Sequence, residues 1–402
     1  MIITKFNYKL IPDWSIPKEL FLVWPGGIAN RNHLVPFYVN LIKQIPKTVG
    51  ISLIISKREM RSDINKILAE NNINKSISFV EIPFGNDGKP YDIWIRDWSP
   101  LCAVADSGKS MYVKAKYGPA YLDYNEAEPC DNAGQVLAGL SDDENIRFPF
   151  VWDLGNFTHN GGGTAIVTKR IISDNEGFSE KGIQDLFNQM FGITKLIFID
   201  EEPGDTTGHV DGLIRFIGEN RLVVARYPKS CVEENRFIDG VKNKIQNELG
   251  NSFEFIDIPN GLFIDESNEG VPSSFGNHIN YLHLGSSLMM PTFGIDSDKT
   301  ALSIFKRALP YTEIIPVESS ALSHKGGILN CISWLLYESF LPPFTKMITL
   351  EDCKKCEYHI TNNPGHVVCD YKLLYNERMT GYNSDGTEVV IVCPLVKSAA
   401  EH

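Results

Sequence analysis

The sequence predicts an α/β protein of five small repeated units arranged around an axis, followed by a C-terminal extension. Three observations lead there. A strand–turn–strand–helix–strand order occurs three times in succession between Asp153 and Val317. The closing strands end near Ile199, Ile258 and Val317, a period of roughly 60 residues. Two fainter copies precede these, and the sequence changes character after Pro342-Pro343.

The first faint unit has the apolar run Leu20-Phe21-Leu22-Val23-Trp24, a helix around Phe37 and Leu41, and the strand Ile51-Ser52-Leu53-Ile54-Ile55. The second spans Asp92 to Phe150. The third runs from Asp153 through the turn Asn160-Gly161-Gly162-Gly163 and the strand Thr164-Ala165-Ile166-Val167. Its helix carries Ile183, Leu186, Phe187 and Met190 at helical spacing, and Lys195-Leu196-Ile197-Phe198-Ile199 closes it. The fourth starts near His209, turns at Gly218-Glu219-Asn220, and continues as Leu222-Val223-Val224-Ala225. It places Ile238, Val241, Ile245 and Leu249 on one helix face and ends at Phe253-Glu254-Phe255-Ile256. The fifth starts near Ile279, turns at Gly285-Ser286-Ser287 and passes Leu288-Met289-Met290-Pro291. A helix with Ala301, Phe305 and Leu309 follows, then Ile314-Ile315-Pro316-Val317. Units set around an axis bring the starts of their first strands to a shared centre, where a ligand site would form.

A chain of 402 residues accommodates one large domain with an appendage, or two domains. We expect the repeats to occupy residues 1–345 and the extension 346–402. Apolar residues at 43% and charged residues at 22% are ordinary for a folded domain. The net charge of -12, with no Lys/Arg cluster, argues against nucleic acid or an anionic membrane as partner and favours a cationic ligand. The N-terminus Met1-Ile2-Ile3-Thr4-Lys5-Phe6 has no apolar leader, and no stretch reads as membrane-spanning, so a cytoplasmic location is expected. The eight cysteines are scattered and are expected to be reduced.

Three segments carry chemistry. In Gly208-His209-Val210-Asp211-Gly212, a strand would set His209 and Asp211 on one face; the bland alternative is a structural His and Asp at a turn. In Asp92-Ile93-Trp94-Ile95-Arg96-Asp97-Trp98-Ser99-Pro100, Arg96 and Asp97 either pair locally or Asp97 enters an aromatic-walled pocket. There a carboxylate is costly until a cation meets it. In Ser323-His324-Lys325-Gly326-Gly327-Ile328-Leu329-Asn330-Cys331, paired glycines lead into a cysteine with no CxxC neighbour, the alternative being a buried structural Cys.

Taken together, Trp94-Ile95-Arg96-Asp97, Gly208-His209-Val210-Asp211-Gly212 and Gly326-Gly327-Ile328-Leu329-Asn330-Cys331 resemble, in order and separation, the agmatine deiminase and bacterial (Porphyromonas-type) peptidylarginine deiminase family. The openings Ile11-Pro12-Asp13-Trp14 and Leu22-Val23-Trp24-Pro25 are similar too, so the resemblance covers roughly residues 10 to 340. It implies the pentein fold, a five-bladed pseudo-symmetric α/β propeller, which agrees with the repeat read independently. It further implies Cys331 as nucleophile, His209 as general acid/base, and Asp97 and Asp211 as the carboxylates holding a guanidinium. Asp153, in Trp152-Asp153-Leu154-Gly155-Asn156, is a candidate third carboxylate, and Trp94 and Asn156 are expected at the substrate. Three positions depart from the family pattern: Ser99 and Leu154 stand where glycine is usual, and Asn330 where His is common.

The implied activity is hydrolysis of a small guanidinium compound to its ureido product and ammonia, through a covalent thiouronium intermediate and without a cofactor. Agmatine is the first choice, with free or peptidyl arginine behind it. An amidinotransferase shares that intermediate, and a non-catalytic binding protein of this fold is a further alternative. A papain-like protease has its Cys before its His, the reverse of this order. A homo-oligomer is compatible with the sequence. In the extension, Cys353 and Cys356, with His359, His366, Cys369 and Cys393 nearby, offer one half of a zinc site, against reduced structural cysteines.

Overall fold

Apolar runs of five or six residues are too short for helices and form strands; the amphipathic stretches between them form the crossovers that cover those strands. The computed structural model describes residues 8–25, 31–84, 90–105, 110–140, 144–261, 272–337, 359–363, 366–369, 380–382 and 388–390. The chain divides into two units, Met1–Phe340 and Leu341–His402.

In chain order, β1 (Tyr8–Leu10) and β2 (Glu19–Val23) precede α1 (Arg31–Gln44), β3 (Gly50–Ile55), α2 (Met60–Glu70) and β4 (Ile77–Glu81). The single turn α3 (Ile95–Trp98) leads to β5 (Leu101–Ala105), β6 (Ser110–Lys116), α4 (Tyr124–Ala138) and β7 (Glu144–Val151). Next come β8 (Thr158–His159), β9 (Thr164–Thr168), α5 (Arg170–Ser173), α6 (Glu180–Phe191) and β10 (Lys195–Ile199). They are followed by β11 (Ile214–Gly218), β12 (Arg221–Arg226), α7 (Val232–Leu249) and β13 (Glu254–Pro259). The unit ends with β14 (Leu282–Leu284), β15 (Ser287–Thr292), α8 (Asp296–Ala308), β16 (Glu313–Glu318), the turn α9 (Ser320–Ser323) and β17 (Trp334–Leu336).

These strands form five sheets, ordered β17-β2-β3-β4, β1-β5-β6-β7, β10-β9-β8, β11-β12-β13 and β14-β15-β16. Each repeats one pattern. An entering strand pairs antiparallel with a second strand, which pairs parallel with a third across a helix. In the first sheet the entering strand is β17, from the far end of the unit, with Trp334 opposite Phe21. The second strands, helices and closing strands of the three clear repeats therefore lie where their periodicity placed them, and at the start of α6 the Ser179 hydroxyl accepts the Gly182 N–H at 3.1 Å.

The helix faces read from spacing are buried: Ile183, Phe187 and Met190 on α6, Ile238, Val241 and Ile245 on α7, Ala301 and Phe305 on α8. Phe187 packs among Phe148, Phe150, Trp152 and Phe157 with ring centroids 4.9–6.0 Å apart. Ahead of β2, Asp13 pairs at 2.7 Å with Arg215 of β11, whose guanidinium lies 4.0 Å over the Tyr281 ring. That guanidinium is withdrawn from solvent but charge-paired and hydrogen-bonded to backbone carbonyls, the condition under which a buried cation is tolerated.

Two readings need correction. Gly208–Gly212 does not open a strand: Val210–Gly212 is a 3₁₀ turn, and β11 starts only at Ile214. The fifth unit's first strand starts at Leu282 rather than near Ile279, because the Asn277 carboxamide accepts the Ile279 and Asn280 N–H groups and holds the segment as a turn.

In the second unit, β18 (His359–Asn363) pairs with β19 (His366–Cys369) and β20 (Thr380–Tyr382) with β21 (Glu388–Val390), both antiparallel. Cys353, Cys356 and Cys393, on which the zinc expectation turns, lie outside the described residues. Among the described residues no group of three or more His, Cys, Asp or Glu is placed to hold a metal, and no helix is long and apolar enough to cross a membrane.

Candidate active site

Asp92 shapes the first of the three segments. Its Oδ1 accepts the Trp94 N–H at 2.8 Å and the Trp98 Nε1–H at 2.7 Å, which folds the chain into α3 and buries Ile95 and Trp98. Arg96 and Asp97 do not pair with each other here. The Arg96 guanidinium donates to the Asn330 carbonyl (3.3 Å) and the Ser333 hydroxyl (3.4 Å), and the Arg96 backbone N–H donates to the Cys331 carbonyl (3.0 Å). Asp97 instead faces His209, with Oδ1 3.7 Å from Nδ1. Ser99 fits its position by donating its hydroxyl back to the Arg96 carbonyl at 3.4 Å.

The second segment is shaped by Asp205. Its carboxylate accepts the Thr207 N–H (2.9 Å) and hydroxyl (2.9 Å) and the His209 N–H (3.2 Å), so the chain turns before His209. His209 Nε2 then lies 3.1 Å from Asp153 Oδ2, to which the Tyr121 hydroxyl also donates at 2.9 Å. Gly155 lies against this pair. A Cβ there would come within 2.4 Å of His209 Nδ1 and 2.5 Å of Asp97 Oδ1, so of the two positions after Asp153 the glycine falls where it is sterically required, and Leu154 where a side chain fits.

Cys331 lies in the turn before β17. Asn280 Nδ2 donates to its Sγ at 3.3 Å, and Asn330 Nδ2 donates to Asp211 Oδ2 at 2.6 Å. Asn330, the departure beside the cysteine, thus holds one of the expected carboxylates. Gly327 admits the Trp94 ring, which a Cβ would meet at 2.5 Å.

Trp94, Asp97, His209, Asp211 and Cys331 line one cavity of about 160 Å³, together with Asp92, Tyr121, Glu202, Asp205, Asn280 and Lys325 among others. Two expected residues are not in its wall. The Asn156 carboxamide is taken up by the Thr168 backbone, accepting its N–H at 2.8 Å and donating to its carbonyl at 3.5 Å, so it is a strand anchor and not a substrate contact. Asp153 stands behind His209, engaged with the imidazole and Tyr121. Sequence reasoning missed Tyr121, Glu202 and Asn280; Asn280 was read only as part of a first strand starting near Ile279.

The cavity carries five carboxyl groups, Asp92, Asp97, Glu202, Asp205 and Asp211, against Lys325 and His209. Burial pushes Asp97 well above the usual carboxylate range; His209 opposes this, while Asp153 and Asp211 add to it. Burial pulls His209 down, but Asp97 and Asp153 more than offset it and hold the imidazolium up to about 10. Burial pushes the Cys331 thiol well up, and the charges of Asp211 and Asp97 push the same way. These effects favour the protonated forms of both the imidazole and the thiol, which line the same cavity.

Comparison with known proteins identifies the family and the fold. The profile of the Porphyromonas-type peptidyl-arginine deiminase family matches residues 9–336. The agmatine deiminase of Pseudomonas putida is 22% identical over 367 residues, covering 81% of this chain and 95% of the relative. That of Pseudomonas syringae pv. syringae is 22% identical over 366 residues, with the same coverage of both chains. Among solved structures, C. jejuni agmatine deiminase superposes with a TM-score of 0.71 at 19% identity, covering 83% of this chain and 97% of that one. Agmatine deiminase of Enterococcus faecalis also superposes with a TM-score of 0.71, at 16% identity, covering 83% and 96%. The mixed α/β fold is thus that of the solved agmatine deiminases, and the chain belongs to the Porphyromonas-type peptidyl-arginine deiminase family.

Proposed function

We propose that this member of the peptidyl-arginine deiminase family is a cysteine-dependent deiminase of a small guanidinium compound, agmatine first, giving the ureido product and ammonia. The observation that carries the reading is the single cavity walled by Cys331, His209, Asp97, Asp211 and Trp94. Its excess of carboxyl groups favours a substrate cationic at both ends over arginine, whose carboxylate would meet an acidic wall. We take the five sheets as blades about one axis, closed by β17 on β2, and residues 1–345 as the catalytic domain.

In the proposed mechanism Asp97 and Asp211 take the N–H groups of the planar guanidinium, fix its plane and localise charge on its carbon. Burial first, and then the charges of Asp211 and Asp97, hold the Cys331 proton; the arriving cation offsets those two charges and the proton leaves to solvent. The thiolate attacks the guanidinium carbon. As the C–N bond breaks, His209 gives its proton to the leaving amine and ammonia departs, leaving an S-alkylthiouronium. Neutral His209, held in place by Asp153, then takes a proton from water and the hydroxide adds to the carbon; as the C–S bond breaks its electron pair returns to sulfur, the adduct's hydroxyl proton passes to that sulfur to restore the thiol, and the neutral ureido product leaves.

This predicts how Cys331 is alkylated. Because the resting thiol is held up, neutral iodoacetamide should label it slowly at pH 7 and faster as pH rises. A cationic haloacetamidine occupies the guanidinium position and offsets Asp97 and Asp211, so it should label Cys331 at least about tenfold faster at pH 7. Agmatine should protect against it. Peptide mass spectrometry reads both rates; equal labelling by the two reagents, unaffected by agmatine, would mean that the cavity does not hold guanidinium.

A further inference from the structure

We propose that a second cavity, joined to the catalytic one through Asn330, binds a small hydroxylated oxyanion of the bicarbonate class, held by Arg96, His159 and Asn330. This cavity has a volume of about 40 Å³, and Asp13, Arg96, His159, Arg215 and Asn330 are its charged and polar lining among apolar side chains. Room for about three waters suits a small ion and excludes a larger metabolite. The wall is unevenly charged. Arg215 pairs with Asp13 at 2.7 Å and directs its remaining bonds to the Ile279 and Tyr281 carbonyls. The Arg96 guanidinium donates to neutral acceptors, the Asn330 carbonyl and the Ser333 hydroxyl, and among the described residues no carboxylate lies at ion-pair distance from it. Two guanidinium groups therefore face one carboxylate, which leaves one positive charge to be met.

The polar groups in the wall specify the ligand. His159 Nδ1 accepts the Gly161 N–H at 3.3 Å, and burial pulls the imidazole down to about 4, with Asp13 opposing and Arg96 adding to the effect. The ring is therefore neutral at physiological pH and carries its proton on Nε2. That N–H and the Arg96 guanidinium are donors suited to an anionic oxygen. Asn330, one of the departures from the family pattern, has the opposite need. Its Nδ2 is committed to Asp211 at 2.6 Å, while its Oδ1 is buried with no hydrogen-bond partner among the described residues and requires a donor. A halide or formate would meet the charge and leave Oδ1 unsatisfied; water would satisfy Oδ1 and leave the charge. Bicarbonate answers both, its anionic oxygens accepting from Arg96 and His159 and its hydroxyl donating to Oδ1. Bound there, it fixes the Asn330 carboxamide, whose other end holds Asp211 in the catalytic cavity. Only this link to catalysis rests on the deiminase reading.

The test is the carbon-13 NMR linewidth of labelled bicarbonate at pH 8 in the presence of the full chain. The protein should broaden the line, with a Kd on the order of 1 mM. His159→Asn keeps an acceptor for the Gly161 N–H and removes the Nε2–H, so it should weaken binding at least about tenfold. If His159→Asn does not fold, Arg96→Gln removes the unpaired charge and is expected to weaken binding by at least as much. Chloride and formate should displace the labelled ion at least about tenfold less effectively than unlabelled bicarbonate. A line that stays sharp, broadening undiminished by the substitution, or equal displacement by chloride overturns the proposal. Bicarbonate should also lower KM for agmatine at least about twofold in the unsubstituted protein and not in His159→Asn; a KM that ignores it overturns the link through Asn330. Absence of turnover with every guanidino compound would instead sink the deiminase reading, while the linewidths would still decide whether the second cavity binds the anion.

Discussion

Cys331→Ala is expected to lower kcat for agmatine by on the order of 10⁴-fold or more while leaving agmatine binding within about tenfold. The two properties separate because different atoms supply them. In the proposed mechanism binding rests on Asp97 and Asp211, which have partners that do not depend on sulfur: Asn330 holds Asp211, and the Gly155 N–H donates to Asp97 at 3.2 Å. Bond-breaking rests on the sulfur, since a resonance-stabilised guanidinium carbon resists water at neutral pH and no other thiol lines the cavity among the described residues. Calorimetry measures the first property and ammonia release the second. Binding should also release more protons in the unsubstituted protein than in Cys331→Ala, because the thiol proton is lost only in the former, whereas any proton displaced from Asp97, which burial also holds up, is common to both. Ammonia release that survives the substitution undiminished rules out a covalent route through Cys331.

His209→Asn should cost about 10³–10⁴-fold in kcat, because the imidazole moves a proton in each half of the reaction and general acid–base help is worth about 10²–10⁴-fold. Its protonation sets the pH range. Held up to about 10 by Asp97 and Asp153 against the effect of burial, His209 stays an acid across neutral pH in the free protein. The thiol, pushed well up, needs rising pH to ionise. kcat/KM should therefore increase with pH through neutrality and fall again only as His209 loses its proton near 10. His209→Asn should abolish that alkaline fall along with most of the rate. A profile that declines from pH 7 upward in the unsubstituted protein contradicts the assignment of the acid.

The fold was legible where the information is local. The faces of α6, α7 and α8 are written at helical spacing, and the runs of β9, β12 and β15 are flanked by turn residues, so those elements appear as read. The pairing of β17 with β2 was not, because the two strands lie at opposite ends of the unit and neither run names its partner. Within the site, Cys331, His209, Asp97 and Asp211 were found by their motifs, although the reason offered for His209 and Asp211 failed. A period of two did not bring them together; a 3₁₀ turn set by Asp205 did. Asn156 was misplaced for the opposite reason: its motif neighbours are at the site, but its carboxamide closes a backbone gap at Thr168. Tyr121 and Asn280 earn their roles through contacts 88 and 51 residues away in sequence, with His209 and Cys331, and no pattern around either one encodes that.

The departures from the family pattern follow the same logic. Ser99, Leu154 and Asn330 all lie outside the wall of the catalytic cavity. Ser99 bonds its own turn, Leu154 joins the apolar core ahead of the indispensable Gly155, and Asn330 supplies a donor to Asp211.

Product analysis tests the central claim most directly. Agmatine, arginine, methylated arginine and arginyl peptides are each incubated with the protein without an amine acceptor, and ammonia and ureido product are counted. The account predicts that agmatine yields both in equal amounts and faster than the other three. No ammonia from any of the four, or amidino transfer only when an amine is added, would contradict it.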